Sequence, residues 1–392
     1  MNFEELKSIS IPEGKVKQIE VNGVLVWALE TKTGLVYLGK APNLTSNAVV
    51  NMGSGWNSEF VIFSGGSTDG NSANSVGYVT AYDSNLVKRS LTNLNTNVQR
   101  QWGGNVGNYA CVGGGENTQG EKGQRLNGYD LNGVHTTASV SGSSSRGVVF
   151  YHKNKLCVVP KNYTYTSGSG YNMDAYFMHI YSYDSSLTKS TLLSAPYDNI
   201  LNIEQKNGDV VTDYAINSTG DYIVLFGGML YTYANFESTK IQNAYCLNED
   251  EVLLSTLPIP AAKWPEKYKG VGFDNGALFF RNSSEQIAYF IDNNLVMSEL
   301  TTSVSYLYGD YIIGSGNTGI FIGDNYVNGI YKEYIPMCID KNGIVTNGDS
   351  YTNNESREDK VVIGVLGNKV FIAGGSKADP TNIVDVYELS AK

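Results

Sequence analysis

AYDSNL at residues 81–86, GYDLNG at 128–133, SYDSSL at 182–187, YCLNED at 245–250, FIDNNL at 290–295 and CIDKNG at 338–343 are copies of one short element, and VYELS at 386–390 is a worn seventh. Each sets one or two apolar residues before an Asp, or before the Asn or Glu that replaces it, and most follow it with small polar residues that reverse the chain. An Asp suits that place because its carboxylate accepts hydrogen bonds from backbone N–H groups two residues on and so closes a hairpin turn. From Asp83 through Asp130, Asp184, Asn248, Asp292 and Asp340 to Glu388 the steps are 47, 54, 64, 44, 48 and 48 residues. A period of about 40–50 residues in a strand-rich chain predicts propeller blades of four strands, each burying its faces only against its neighbours.

A second landmark lies upstream of each tag: an apolar run ending in small residues. It reads EFVIFSGG (59–66), YACVGGG (109–115), YIVLFGG (222–228), YIIGSG (311–316) and VFIAGG (370–375), while KLCVVP (155–160) and ALFFR (277–281) keep the run and lose the glycines. Continuous Val, Ile, Leu and Phe mark a strand packed on both faces. Glycine at the strand end admits close approach of neighbouring chain, expected here near the central channel.

Together the hydrophobic strand, the Gly–Gly pair and the later Tyr–Asp resemble the repeat of kelch-type β-propellers, over roughly residues 33–392. The resemblance implies an all-β, seven-bladed kelch-like propeller. The repeat predicts blades starting near Ala48, Val98, Gly147, Asp213, Gly270, Val304 and Lys360, with first turns that include HKNK (152–155), NSTG (217–220), DNG (274–276), Gly309-Asp310 and GNK (367–369). Glu388 of the last tag lies four residues before the end, and TGLVYLGKAPNL (33–44) precedes the first blade. These two gaps fit each other: Leu35–Leu38 is expected to pair with the strand near Val384–Leu389 and close the ring, removing free sheet edges.

With 43 Gly, 28 Tyr and 17% charged residues the chain is rich in strands and loops. The repeat occupies residues 31–392 as one large domain behind a short module at 1–30. A formal net charge of −10 argues against a nucleic-acid or anionic-membrane surface, both of which need clustered Lys and Arg. No apolar run is long enough for a membrane-spanning helix, and MNFEELKSIS lacks the apolar core of a signal peptide. Cys111, Cys157, Cys246 and Cys338 lie in or beside expected strands and read as buried, reduced thiols.

In LKSISIPEGKVKQIEVNGVLVW (6–27), the alternation Val16, Ile19, Val21, then Val24 and Val26 around Asn22-Gly23, predicts a hairpin with a tight turn. This segment resembles the short N-terminal module of tail- and baseplate-associated proteins from phages of Gram-positive bacteria, carried here by Ile11, Pro12, Val16, Ile19 and Trp27. The resemblance implies attachment to other phage tail or baseplate proteins, and a virion tail component made in the host cytoplasm without a signal peptide.

From the end of the second strand to the tag, the intervals are 17, 15, 24, 20, 11, 24 and 13 residues, so blades three, four and six carry the long connections. In a propeller these emerge on one face, and long insertions there mark a working surface. KNYTYTSGSGYNMDAYF (161–177) carries Tyr163, Tyr165, Tyr171, Asn172, Asp174, Tyr176 and Phe177; MLYTYANFESTK (229–240) carries Tyr231, Tyr233, Phe236 and Glu237; NTGIFIGDNYVNGIYKEY (317–334) carries Phe321, Asn325, Tyr326, Tyr331 and Tyr334. Aromatic rings beside amides and carboxylates fit a glycan, which needs a flat partner for stacking and acceptors for its hydroxyls. Trp56, Trp102 and Trp264 fall near blade junctions, as packing residues.

His135, His152 and His179 have no metal-ligand spacing, and no G-x-S-x-G elbow, phosphate loop or Cys–His pattern occurs. The expectation is therefore a binding protein without catalytic residues, metal or cofactor, whose partner is a host-surface glycan, such as that of the cell wall, or another receptor. Its alternatives are a purely structural tail protein, and a carbohydrate-active propeller enzyme pairing acids such as Asp174 with Glu204 or Asp213.

Overall fold

The computed structural model describes residues 18–21, 24–28, 34–44, 50–69, 74–116, 125–140, 146–165, 172–176, 179–194, 200, 210–212, 214–232, 237–260, 268–281, 287–302, 307–315, 318–327, 330–349, 361–375 and 381–390. Seven antiparallel sheets follow one another along the chain, each starting from an inner strand: Gly53–Trp56, Gln99–Val106, Arg146–His152, Ala215–Ser218, Tyr268–Phe273, Leu307–Ser315 and Val361–Leu366. In blade one the order outward is Gly53–Trp56, Phe60–Ser64, Val79–Asp83 and Lys88–Ser90, and the other blades repeat it. The chain is a seven-bladed β-propeller. Among the described residues no helix is long and apolar enough to cross a membrane.

The core has no shared centre. Its buried apolar residues fall into seven clusters, one in each seam between neighbouring blades. Phe60, Ile62, Val79 and Ala81 of blade one meet Val98, Ala110, Val112 and Tyr129 of blade two, for example. Tyr82, Tyr129 and Tyr183, the residues just before the tag Asp, are fully buried facing the preceding blade, and each hydroxyl donates to a carbonyl there or in the connection from it: Pro42 at 2.6 Å, Thr92 at 2.7 Å and Ser139 at 3.4 Å. Burying such a side chain contributes about 1.5–3 kcal/mol, and the hydrogen bond keeps the hydroxyl from opposing it.

The tag Asp closes the outer turn by a more complete pattern than sequence indicated. Asp292 Oδ1 accepts from Asn294 N–H at 2.9 Å and also from Val296 N–H at 2.9 Å. Asp83, Asp130, Asp184 and Asp340 do the same, and Asn248 shows that an amide oxygen suffices. Glu388 closes no such turn; its carboxylate accepts from Asn368 Nδ2 at 2.8 Å, because the fourth strand of that blade arrives from the other end of the chain.

That strand is Gly34–Ala41, antiparallel to Val384–Ser390 with Leu35 opposite Leu389 and Tyr37 opposite Tyr387. Tyr37 fixes the closure from three sides: its N–H donates to Asp349 Oδ2 at 3.0 Å, its hydroxyl to Asp385 Oδ1 at 3.1 Å, and its ring meets that of Tyr387 edge-on at 5.2 Å. Further back, Gln18–Val21 pairs with Val24–Ala28 in a separate two-stranded hairpin, with Ile19 opposite Trp27. Ile11, Pro12 and Val16 lie outside the described residues.

Two expectations need correction. In blade six YIIGSG belongs to the inner strand, Leu307–Ser315, and the second strand is Thr318–Val327. Gly309 and Asp310, expected to form the turn, instead lie where the pairing slips between Tyr308 and Ile313, a bulge with a turn-like sequence. The glycine pair of blade one, moreover, meets the chain entering the next blade. Gly65 and Gly66 have φ of 61° and 95°, Gly66 N–H donates to Val98 O at 2.8 Å, and a Cβ on Gly65 would lie 2.5 Å from that same oxygen.

Two stability predictions follow from these contacts. Asp292→Asn should leave the urea midpoint nearly unchanged, within about 0.5 kcal/mol, whereas Asp292→Ala should cost about 1–2 kcal/mol for two lost hydrogen bonds. A chain starting at residue 42 should lose its single cooperative unfolding transition and self-associate in sedimentation, since the edge of Val384–Ser390 is left bare.

Candidate functional site

The long connections of blades three, four and six are strands rather than loops. In blade three the second strand, Lys155–Tyr165, pairs with His179–Tyr183 only over Leu156–Val158 and runs on to pair with Asn172–Tyr176. In blade four Met229–Thr232 leaves Gly227-Gly228 and pairs with both Val210–Thr212 and Glu237–Lys240 as a separate three-stranded sheet. In blade six Thr318–Val327 and Ile330–Asp340 stay paired as far as Val327 and Ile330. In each ribbon the described strands exchange main-chain hydrogen bonds across the pair, which an open loop does not.

Two of the three ribbons come together. Asn172–Tyr176 of blade three lies against Val210–Thr212 of blade four, so the strand surface is continuous across that seam. The ribbon of blade six stands one blade away from blade four, with blade five between. On the blade-three ribbon the register pairs Tyr163 with Asp174, Tyr165 with Asn172 and Lys161 with Tyr176, alternate positions that belong to one face. On the others Tyr231 pairs with Val210 and Ser238, Asn325 with Glu333, and Tyr326 with Tyr331. Tyr171, Phe177, Glu204, Asp213, Tyr233, Phe236 and Trp264 lie outside the described residues. Phe321 is a core residue, 1% exposed, and leaves the candidate surface. Trp102 is buried at the seam of blades two and three, and Trp56 is half-buried beside blade seven, both packing residues.

One polar cluster had no signal in sequence spacing. His152, on the last residue of the inner strand of blade three, has Nδ1 2.7 Å from Ser218 Oγ and Nε2 3.1 Å from Glu249 Oε1, partners 66 and 97 residues away. Lys153 Nζ is 3.3 Å from the same Glu249 oxygen. The residue types are those of a nucleophilic relay. Ser218 and His152, however, are 2% and 1% exposed, and Ser218 Oγ already accepts Gly220 N–H at 3.0 Å, so no reactant reaches the hydroxyl and the cluster ties two blades. His135 has Nε2 3.0 Å from Asn127 Oδ1 and its ring stacked on Tyr129 at 4.9 Å.

Among the described residues no three His, Cys, Asp or Glu are placed to hold a metal. The four cysteines are free and buried. Burial raises their thiols, to about 12 for Cys157, Cys246 and Cys338, so they stay protonated and unreactive in the folded chain.

No family model matches the chain, and no curated protein does. Solved structures do. Virginiamycin B lyase from Staphylococcus aureus matches at a TM-score of 0.52 and 9% identity, over 90% of this chain and 99% of that one. A streptogramin B lyase matches at 0.51 and 10% identity, over 91% and 99%. A catalytically inactive variant of the S. aureus lyase with quinupristin matches at 0.51 and 9% identity, over 90% and 99%. These neighbours are enzymes, which overturns the expectation of a non-enzymatic chain drawn from missing motifs: an architecture that carries lyases does not announce its chemistry through local sequence signatures. At such identity the likeness is one of fold, and it makes this chain a seven-bladed β-propeller of the architecture that virginiamycin B lyases share.

Proposed function

We propose that the joined ribbons of blades three and four recognise a glycan of the bacterial cell surface, in a tail-associated protein of a phage. The observation that carries this reading is the meeting of Asn172–Tyr176 with Val210–Thr212, which makes one strand surface from two blades. On it the register sets Tyr163, Tyr165 and Tyr176 at alternate positions shared with Lys161, Asn172 and Asp174. Aromatic rings supply stacking faces at small entropic cost, and the amide and carboxylate accept from sugar hydroxyls. Asn325 and Tyr326, on the blade-six ribbon, extend the same side of the ring rather than the same surface. The hairpin Gln18–Val21 with Val24–Ala28 supports a separate attachment role for residues 1–30 toward other tail or baseplate proteins.

A second reading has its own support in the lyase neighbours, which cover nine-tenths of the chain: the bound glycan is also cleaved there, by elimination.

Binding of the purified chain to cell-wall polysaccharide should weaken at least about tenfold when Tyr163, Tyr165 and Tyr176 are all replaced by Ala, with the urea midpoint unchanged. Unaltered binding would move the site off these ribbons. Incubation with the same polysaccharide, and separately with virginiamycin B, distinguishes the second reading: new unsaturated ends mean a lyase, and intact substrate leaves recognition alone. Phage particles should fail to incorporate a chain lacking residues 1–30.

A further inference from the structure

The seam between blades three and four ends, on the side of the tag turns, in the His152 cluster, opposite to the ribbons. His152 closes the inner strand Arg146–His152, Ser218 closes the inner strand Ala215–Ser218 of the next blade, and Glu249 stands in that blade's tag turn. The turn after His152 places Lys153 and Asn154 at φ of 46° and 62°, both left-handed, and directs Lys153 onto the Glu249 carboxylate. Charged groups that face the imidazole are Lys153 and Lys155 from blade three and Glu249 from blade four; the end of blade four's inner strand contributes the neutral Asn217 and Ser218.

With His152 neutral every polar atom is matched. Nδ1 accepts the Ser218 hydroxyl, Nε2–H donates to Glu249, and Ser218 Oγ takes the Gly220 N–H. Adding a proton turns Nδ1 into a donor aimed at Ser218, whose own hydrogen must then find a new acceptor in a sealed place, at the cost of an unmatched buried group. Burial pushes the imidazole below its ordinary 6.5, against the pull of the Glu249 carboxylate and with the help of Lys153 and Lys155.

We propose that His152, Ser218 and Glu249 form a pH-sensitive clasp between blades three and four, holding the seam while the imidazole is neutral and loosening it when the imidazole takes a proton. The sign follows from linkage. The unfolded chain takes up the proton first, near the ordinary value, so the stabilisation is whole above about pH 7 and falls as pH drops through 6.5 toward the lower folded value. Over that interval the folding equilibrium constant should fall up to about tenfold per pH unit, the limit for one proton.

The test is the urea midpoint from pH 8 to pH 5, above the range where carboxylates titrate, for the full chain and for His152→Gln. Its amide keeps a polar partner for Ser218 and does not titrate. The parent chain should lose stability across the window, and the variant should lose markedly less. His135→Gln, whose imidazole is likewise held down first by burial and then by Arg125, serves as the control and should leave the His152 component in place. Imidazole proton NMR of the folded parent chain gives a reading that needs no variant: the His152 resonance should titrate below 6.5, with amide exchange in Ala215–Ser218 speeding up over the same range. Parallel midpoint curves for parent and His152→Gln, or a His152 resonance titrating at or above the ordinary value, would overturn the clasp.

Discussion

A blade of four strands has two apolar faces and nothing of its own to cover either, so every part of this molecule depends on the ring being closed. The seven seam clusters make that dependence concrete: none contains enough residues from a single blade to stand alone, and the clusters on both sides of blade seven draw on the strand Gly34–Ala41, through Leu35 on one side and Ala41 on the other. Main-chain pairing with Val384–Ser390 therefore does more than satisfy an edge. It fixes the spacing of two seams at once, and the Asp349 and Asp385 contacts of Tyr37 fasten the same strand to blade six and to blade seven.

What sequence could announce follows from how local the chemistry is. The tag turns were readable because the Asp accepts from N–H donors two and four residues away, inside the same stretch. The closing strand was readable because a missing strand at one end matched an orphan strand at the other. Blade six was misplaced because Gly309-Asp310 has the residues of a turn, and only pairing with Ile320 and Ile322 reveals a bulge. The buried hydroxyls of Tyr82, Tyr129 and Tyr183 find carbonyls about 40 residues earlier, at the end of the preceding blade or in the connection from it, where no signature marks them.

The long connections teach a different lesson. Aromatic and polar residues suggest recognition loops, yet Tyr163-Thr164-Tyr165 has the period of two that belongs to strands. Length beyond the blade was legible; its conformation was not, because these stretches lack the unbroken apolar run that marks the inner strands. The meeting of Asn172–Tyr176 with Val210–Thr212 was beyond reach altogether, since it joins segments of neighbouring blades through the geometry of the ring.

The two sides of the ring are thus built under unlike constraints. On the tag side, each turn is held by two hydrogen bonds to one carboxylate or amide oxygen and by a left-handed residue three places on, so Leu86, Leu187 and Leu295 occupy a backbone region that L-residues avoid. They are tolerated because their side chains pack against the seam clusters: Leu187 is 5% exposed against blade two, and a Gly in its place would relax the backbone while opening a hole between blades. On the ribbon side, strands lengthen as paired ribbons, and the blade-four ribbon enters one seam, where Val211 and Leu230 pack with the cluster between blades three and four. Extending a ribbon beyond Val211 and Leu230 therefore costs little, whereas changing a tag turn disturbs the seam its left-handed residue packs against.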